Sequence, residues 1–136
     1  MEQTGKCLCG AVRFTLTGAP VVTAVCHCKN CQRQAGSAFS VVVLAPKESV
    51  SINGELKAYH DTADSGAKLD RKFCPNCGSA MFSEQPDTPD TIIIKAGIFD
   101  DTSWLKPAVH VWCASAQPWV EISDKVAKFP ANPPSA

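Results

Sequence analysis

The sequence predicts a single domain of mostly antiparallel β structure with one short helix. The chain has 136 residues and a mass of 14.5 kDa, which is the size of one domain. Hydrophobic residues make up 45% of the chain and charged residues 19%, a balance typical of a folded protein. Most apolar residues alternate with polar ones or form short β-branched runs, which is the pattern of β-strands.

The first predicted strand directly follows a pair of cysteines, where Val12, Phe14 and Leu16 alternate with polar residues. Turn-forming residues separate the later apolar runs, as the Asn-Gly pair at 53–54 does. These runs predict further strands over residues 21–25, 39–44, 56–60, 68–73, 80–83, 91–96 and 109–113.

One short helix is predicted over Lys29–Ala35, because the next residue, Gly36, is of the type that commonly ends a helix. Residues 130–136 are rich in proline and poor in large apolar side chains, so we expect a flexible C-terminal tail there. The predicted domain is therefore residues 1–129.

The charge balance argues against a polyanionic partner. Thirteen basic residues match thirteen acidic ones, so the net charge is +0 and the chain has no overall positive field to attract nucleic acid or an anionic membrane. No stretch approaches the roughly 18 apolar residues of a membrane span, and the N-terminus lacks an apolar run of signal-peptide length. We therefore expect a cytoplasmic protein with no nucleic-acid or membrane partner.

Eight cysteines form the most informative feature of the chain. In a reducing compartment, clustered cysteines bind metal more often than they form disulfides. The side chains of a C-x-C converge because residues i and i+2 of an extended segment point to the same side, and a C-x-x-C converges through a tight turn. The clusters and the single remaining cysteine are Cys7-Leu8-Cys9, Cys26-His27-Cys28-Lys29-Asn30-Cys31, Cys74-Pro75-Asn76-Cys77 and Cys113.

The seven clustered cysteines divide into a set of four and a set of three, although spacing alone allows other partitions. Structural zinc sites have four protein ligands, whereas catalytic zinc sites keep one position open. In this division the first and third clusters make a closed site, and the second cluster makes a three-thiolate site with room for another ligand. The first set is Cys7, Cys9, Cys74 and Cys77, and the second set is Cys26, Cys28 and Cys31.

Further motifs accompany the cysteines in order from residue 6 to about residue 120. They are KCLCGAVRF at 6–14, CHCKNC at 26–31, GS at 36–37, FCPNCGS at 73–79, AG with FDD at 96–101, and HVW with PW at 110–119. Together they resemble the glutathione-dependent formaldehyde-activating enzyme (GFA) family, which also contains the centromere protein V relatives. The resemblance implies an Mss4-like, zinc-binding β fold with paired antiparallel sheets.

The resemblance also implies two zinc ions per chain, a structural ion at Cys7, Cys9, Cys74 and Cys77 and a catalytic ion at Cys26, Cys28 and Cys31. The activity that names the family joins glutathione to formaldehyde to give S-(hydroxymethyl)glutathione, which makes it a carbon–sulfur lyase in reverse. The implied partners are a small-molecule thiol, with glutathione as co-substrate, and a small aldehyde.

A zinc ion held by three thiolates favours thiol addition over hydrolysis. The three thiolates leave a formal charge of minus one, so a bound hydroxide is poorly stabilised. A thiol in the fourth position would instead lose its proton and attack an electrophile such as an aldehyde carbon. Arg33 and Lys29 lie in or just after the three-thiolate cluster and are our candidates for holding the glutathione carboxylates.

Three alternative hypotheses stay open at this point. The cluster at 26–31 could be a second structural site, closed by His27, by Cys113 or by another donor. The chain could be a non-catalytic zinc module that binds a partner, as the centromeric relatives suggest. It could also be a methionine sulfoxide reductase-like redox enzyme that uses Cys113, because the Mss4-like fold hosts that chemistry too.

Overall fold

The computed structural model describes residues 2–133, which form eleven strands and one α-helix. The strands are β1 (Glu2–Lys6), β2 (Arg13–Thr17), β3 (Val22–Cys26), β4 (Ser40–Pro46), β5 (Val50–Asn53), β6 (Lys57–Thr62), β7 (Lys68–Phe73), β8 (Ala80–Glu84), β9 (Thr91–Lys95), β10 (Val109–Val111) and β11 (Ala127–Lys128). The helix is α1 (Lys29–Ala35). The predicted mostly β fold with one short helix is confirmed.

The strands build two sheets. The smaller sheet has the order β1-β2-β5 and is antiparallel throughout. The larger has the order β11-β10-β3-β4-β9-β8-β7-β6 and is antiparallel from β3 to β6, whereas β10 runs parallel to both of its neighbours. Parallel neighbours need long connections, and the chain between β3 and β10 passes through most of the sheet first. The pairing places Val111 opposite Cys26.

The main hydrophobic core is formed by side chains from both sheets. Phe14 and Leu16 of β2 belong to one buried cluster with Phe82 of β8 and Ile94 of β9. The ring of Phe14 stands edge-on to those of Phe82 and Phe99, with centroids 5.3 and 5.2 Å apart, a geometry that aromatic pairs prefer. The alternation in β2 thus separates inward residues from outward ones.

Close approach of β1 to the core explains the glycine in that strand. Gly5 pairs with Phe14 in β2 and forms a bridge with Phe99. A Cβ atom at this position would overlap the carbonyl oxygen of Ile98 and the ring of Phe14. The residue has to be glycine because the neighbouring backbone and ring leave no space for a side chain.

The predicted strands are all present, with ends that differ by up to two residues. The predicted strand over 109–113 ends at Val111, because Trp112 adopts a left-handed backbone conformation with φ of +57°. Strands β1, β5 and β11 were not predicted. The residues of β1, Glu-Gln-Thr-Gly-Lys, contain no large apolar side chain and so carry no periodic signal.

Local signals set the position of α1, which covers the predicted residues. Cys28 is the N-cap, and its sulfur accepts a hydrogen bond from the amide of Cys31 at 3.2 Å. Gly36 follows the helix in the left-handed conformation with φ of +64°, which is how glycine ends many helices. Among residues 2–133 no helix has the length and hydrophobicity needed to cross a membrane.

The C-terminal segment contacts the chain near β10. The amide of Trp112 donates to the carbonyl oxygen of Ala131 at 3.1 Å, and its indole Nε1 donates to Oδ1 of Asn132 at 2.8 Å. The predicted tail covers residues 130–136, of which 134–136 lie outside the described residues. Residues 129–132 thus lie beside the turn that follows β10.

Candidate metal centres and active-site cavity

The four-cysteine cluster joins two turns that are far apart in the sequence. Cys7 and Cys9 follow β1, while Cys74 and Cys77 lie in the turn between β7 and β8. All four sulfur atoms lie within 4.8 Å of one another. The Sγ of Cys9 is 3.6 Å from that of Cys7 and 3.8 Å from that of Cys74. Gly78 has a φ of +78°, which turns the chain after the second pair.

These distances suit a tetrahedral metal site. Zinc–sulfur bonds of about 2.3 Å toward tetrahedral corners place sulfur atoms roughly 3.8 Å apart, whereas disulfide sulfurs lie about 2.05 Å apart. The amide of Val12 donates to the Sγ of Cys7 at 3.3 Å. The hydroxyl of Ser79 lies 3.2 Å from the Sγ of Cys77. Hydrogen bonds from this hydroxyl and from the backbone amides of Ser79 and Cys9 lower the pKa of Cys77 to about 5. The residues present therefore fit a metal ion held as thiolates.

The four-cysteine cluster lies at the edge of the core, with Cys9 exposed and Cys77 partly buried. Cys7 and Cys74 are only 1% and 0% exposed, and both belong to the hydrophobic cluster that contains Phe14. An ion bound there would connect the smaller sheet to the larger one. Such an ion would stabilise the fold, because its ligands come together only in the folded chain.

The three-cysteine cluster is local in the sequence. Cys26 ends β3, Cys28 caps α1 and Cys31 lies in the first turn of the helix. The three sulfur atoms lie within 4.8 Å of one another, and no other His, Cys, Asp or Glu ligand atom in residues 2–133 joins the group. Hydrogen bonds from the Cys26 and Cys31 thiols stabilise the thiolate of Cys28 and lower its pKa. The site thus offers three ligands and one position without a ligand from the described chain.

This cluster borders a cavity of about 180 Å³. The walls come from six strands of the larger sheet (β3, β4, β7, β8, β9 and β10), together with α1, the loop between β6 and β7, and the turn after β10. The cavity therefore depends on the register of that sheet. The large apolar side chains that line it are Val42, Leu69, Ile93, Val111 and Trp112. A mostly apolar cavity next to convergent polar groups is typical of a small-molecule site.

Two cationic side chains line the same cavity. The Nε of Arg71 donates to Oδ2 of Asp61 at 2.9 Å, and this pair holds the pKa of Asp61 below its usual value. The Nζ of Lys95 donates to the hydroxyl of Ser40 at 2.7 Å. Burial lowers the pKa of Lys95, while negative charge on Cys31 acts in the opposite direction. These two cations were not predicted from the sequence.

Lys29 and Arg33, the predicted ligands of the glutathione carboxylates, are exposed on α1. Neither belongs to the cavity lining in residues 2–133. Their assignment to the glutathione carboxylates stays a prediction, and it requires these carboxylates to extend outside the cavity. Sequence reasoning missed Arg71 and Lys95 because their position beside the cysteines depends on strand pairing. The available signal was a lysine at the end of the apolar run 91–95.

His27 and Cys113 lie outside the three-cysteine cluster. The ring of His27 is 0% exposed, and its Nε2 lies 2.9 Å from Nδ1 of His110 in β10. The two rings are stacked with centroids 5.2 Å apart. Cys113 follows β10, and its amide donates to the carbonyl oxygen of Phe129. His27 therefore packs against a neighbouring strand, and neither residue supplies a fourth ligand to the cluster.

The fold and the two cysteine clusters define a class of β domain with one four-cysteine centre at the edge of the core and one three-cysteine centre beside a cavity. The sequence matches the family described as "Glutathione-dependent formaldehyde-activating enzyme" over residues 2–115. Because the match covers most of the chain, the chain belongs to this family, as the resemblance predicted.

Relatives with modest identity carry the same description. A Halomonas elongata protein named "Putative glutathione-dependent formaldehyde-activating enzyme" is 28% identical over 131 residues, which cover 92% of this chain and 83% of the relative. A Podospora anserina protein of the same name is 28% identical over 119 residues, covering 82% of this chain. The matched region spans 54% of that relative's length.

A solved structure shares the fold. The crystal structure of a Rhodobacter sphaeroides protein superimposes with a TM-score of 0.55 at 19% sequence identity. The superposition covers 76% of this chain and 91% of that chain. At this level of identity the similarity concerns the fold alone.

Proposed function

We propose that the protein is a zinc-dependent carbon–sulfur lyase of the S-(hydroxymethyl)glutathione synthase type. It joins a small-molecule thiol, glutathione, to a small aldehyde such as formaldehyde, and separates them in the reverse direction. The observation that carries this proposal is the cluster of Cys26, Cys28 and Cys31, whose three sulfurs border a cavity without a fourth ligand from residues 2–133. Family membership supports glutathione and formaldehyde as the substrates.

The proposal includes two zinc ions per chain with different roles. The four-cysteine cluster would hold a structural ion, because its ligands fill all four tetrahedral positions. The three-cysteine cluster would hold the catalytic ion. All eight cysteines lie in the described residues and none forms a disulfide, which supports a reducing compartment such as the cytoplasm.

Zinc, when held by the three thiolates, would supply the coordination bond that stabilises the thiolate form of the substrate over its thiol at neutral pH. The protein adds a cavity whose apolar walls, including Val42 and Ile93, lower the local dielectric and so strengthen electrostatic interactions beside them. Arg71 keeps a fixed position in the wall because Asp61 holds its guanidinium. These groups orient the sulfur and the aldehyde toward each other.

The proposed addition balances in atoms and electrons. The thiol proton leaves to solvent, and a bond forms between the sulfur and the aldehyde carbon. The electron pair of the carbonyl π bond moves to the oxygen, which takes a proton and becomes the hydroxyl group of the adduct. In reverse, the hydroxyl loses its proton, the carbon–sulfur bond breaks and the aldehyde leaves.

The test measures exchange, because a thiol and an aldehyde also combine slowly without a catalyst. Carbon-13 exchange NMR with labelled formaldehyde and glutathione follows the rate at which label moves between free aldehyde and adduct. We expect this rate to rise with the concentration of the wild-type protein. Cys28→Ser should return it to background, whereas Cys113→Ser, a cysteine outside both clusters, should leave it unchanged. A metal-loaded wild-type protein with only background exchange would contradict the proposal and favour a zinc-stabilised binding module.

A further inference from the structure

Lys95 is the cavity cation that has no carboxylate partner among residues 2–133. Arg71 is neutralised by Asp61, and none of the ion pairs within residues 2–133 includes Lys95. The hydrogen-bond partner of Lys95 is the hydroxyl of Ser40, which carries no charge. Asp64 also lines the cavity but is exposed, and it accepts a hydrogen bond from Asn30 rather than from a cation.

Strand register places this ammonium beside the three-cysteine cluster. Ser40 of β4 lies directly opposite Cys26 of β3, and Val42 of β4 lies opposite Lys95 of β9. Side chains opposite each other in paired strands lie on the same face of a sheet, as do residues two positions apart in one strand. Cys26, Ser40, Val42 and Lys95 therefore share the face that forms the cavity. Ser40 is 2% exposed, so the group that holds the lysine is fixed.

The charge of the centre explains why a cation belongs there. Three thiolates and one divalent ion carry a formal charge of minus one, and Lys95 brings the total to zero. A substrate thiolate brings a second negative charge, and its addition to the aldehyde moves that charge from the sulfur to the carbonyl oxygen. A cation held in place before the reaction stabilises such a charge strongly beside apolar, low-dielectric walls.

We infer that Lys95 is a catalytic residue, whose ammonium donates a hydrogen bond to the oxygen anion that forms at the aldehyde carbon. The inference rests on the proposed lyase function. As the carbon–sulfur bond forms, the carbonyl π electrons move to the oxygen beside the Lys95 Nζ. The oxygen then takes a proton from water, and Lys95 keeps its own positive charge throughout the step.

The first test uses binding and needs no turnover. In S-(carboxymethyl)glutathione, the substituent on sulfur carries a carboxylate oxygen anion two bonds from the carbon attached to sulfur. The ethyl substituent of S-ethylglutathione carries no charge. Isothermal titration of the metal-loaded wild type should show about tenfold tighter binding of the first compound, the effect of one charged hydrogen bond. Lys95→Met should abolish this preference and Lys95→Arg should retain it. The same preference in Lys95→Met would overturn the inference.

The second test follows the exchange reaction. Lys95→Met should lower kcat about 10²-fold with a smaller effect on KM, because the oxygen anion exists only during the reaction. Lys95→Arg should recover part of the rate, and Lys57→Met, which removes an exposed lysine from β6, is the matched control. Lys95→Gln replaces Lys95→Met if the latter does not fold. A wild-type rate in folded Lys95→Met or Lys95→Gln refutes only the role of Lys95. Background exchange in the wild type refutes the lyase function and this inference together.

Discussion

Replacing Cys74 by serine should destabilise the protein more than replacing Cys28. Cys9 and Cys74 are 65 positions apart, so a metal ion between them closes a long loop, whereas the three-cysteine cluster lies within one short segment. The chain-entropy relation for cross-links assigns about 4 kcal/mol to closing a loop of roughly 65 residues and about 2 kcal/mol to one of roughly six residues. The expected difference in the free energy of unfolding is therefore about 2 kcal/mol.

Thermal unfolding of the two variants measures this difference, with the zinc content determined on the same samples. About 2 kcal/mol corresponds to roughly 8 °C in Tm for a domain of this size. Cys113→Ser is the matched control, because it removes a thiol outside both clusters and should keep the wild-type Tm. An equal fall in Tm for Cys74→Ser and Cys28→Ser would refute the reasoning, since it would mean that both clusters stabilise the fold to the same degree.

Three further predictions concern the metals, the core and the cavity wall. Elemental analysis should find two zinc ions per chain. A mild chelator should remove one of them first, because a three-ligand site is open to competing ligands. A single tightly held ion per chain would contradict this prediction. Gly5→Ala should lower the free energy of unfolding by about 1–3 kcal/mol, because its Cβ would overlap the Phe14 ring, and an unchanged urea midpoint would speak against this packing. Asn132→Ala should raise KM by up to about fivefold, because it removes the hydrogen bond that holds the cavity residue Trp112. A wild-type KM would exclude a role for Asn132 in positioning Trp112.

Local patterns predicted much of the fold and of the cysteine clusters. The alternation in β2 and the glycine after α1 act over a few residues, so the sequence alone indicates them. The three sulfur atoms of the segment Cys26–Cys31 likewise converge through local structure, a strand end followed by one helical turn. The pairing of Cys7 and Cys9 with Cys74 and Cys77 required the resemblance to a family, because spacing alone allowed other partitions.

Long-range features were missed because no short segment encodes them. Strand β1 forms by pairing with β2 and by the approach of Gly5 to the core, although its own residues show no apolar alternation. The parallel position of β10 beside β3 depends on the whole larger sheet. Lys95 reaches the three-cysteine cluster through the pairing of β3 with β4 and of β4 with β9. Its place in the cavity is therefore a property of sheet register.

The central claim is that a substrate sulfur occupies the fourth position beside Cys26, Cys28 and Cys31. Calorimetric titration of the zinc-loaded protein with glutathione, in buffers of different ionisation enthalpy, measures how many protons leave on binding. We predict close to one proton released per glutathione bound at pH 7, because the thiol must lose its hydrogen to coordinate, and almost none with S-methylglutathione. Equal affinity for both compounds without proton release, or no binding of either, would contradict the claim.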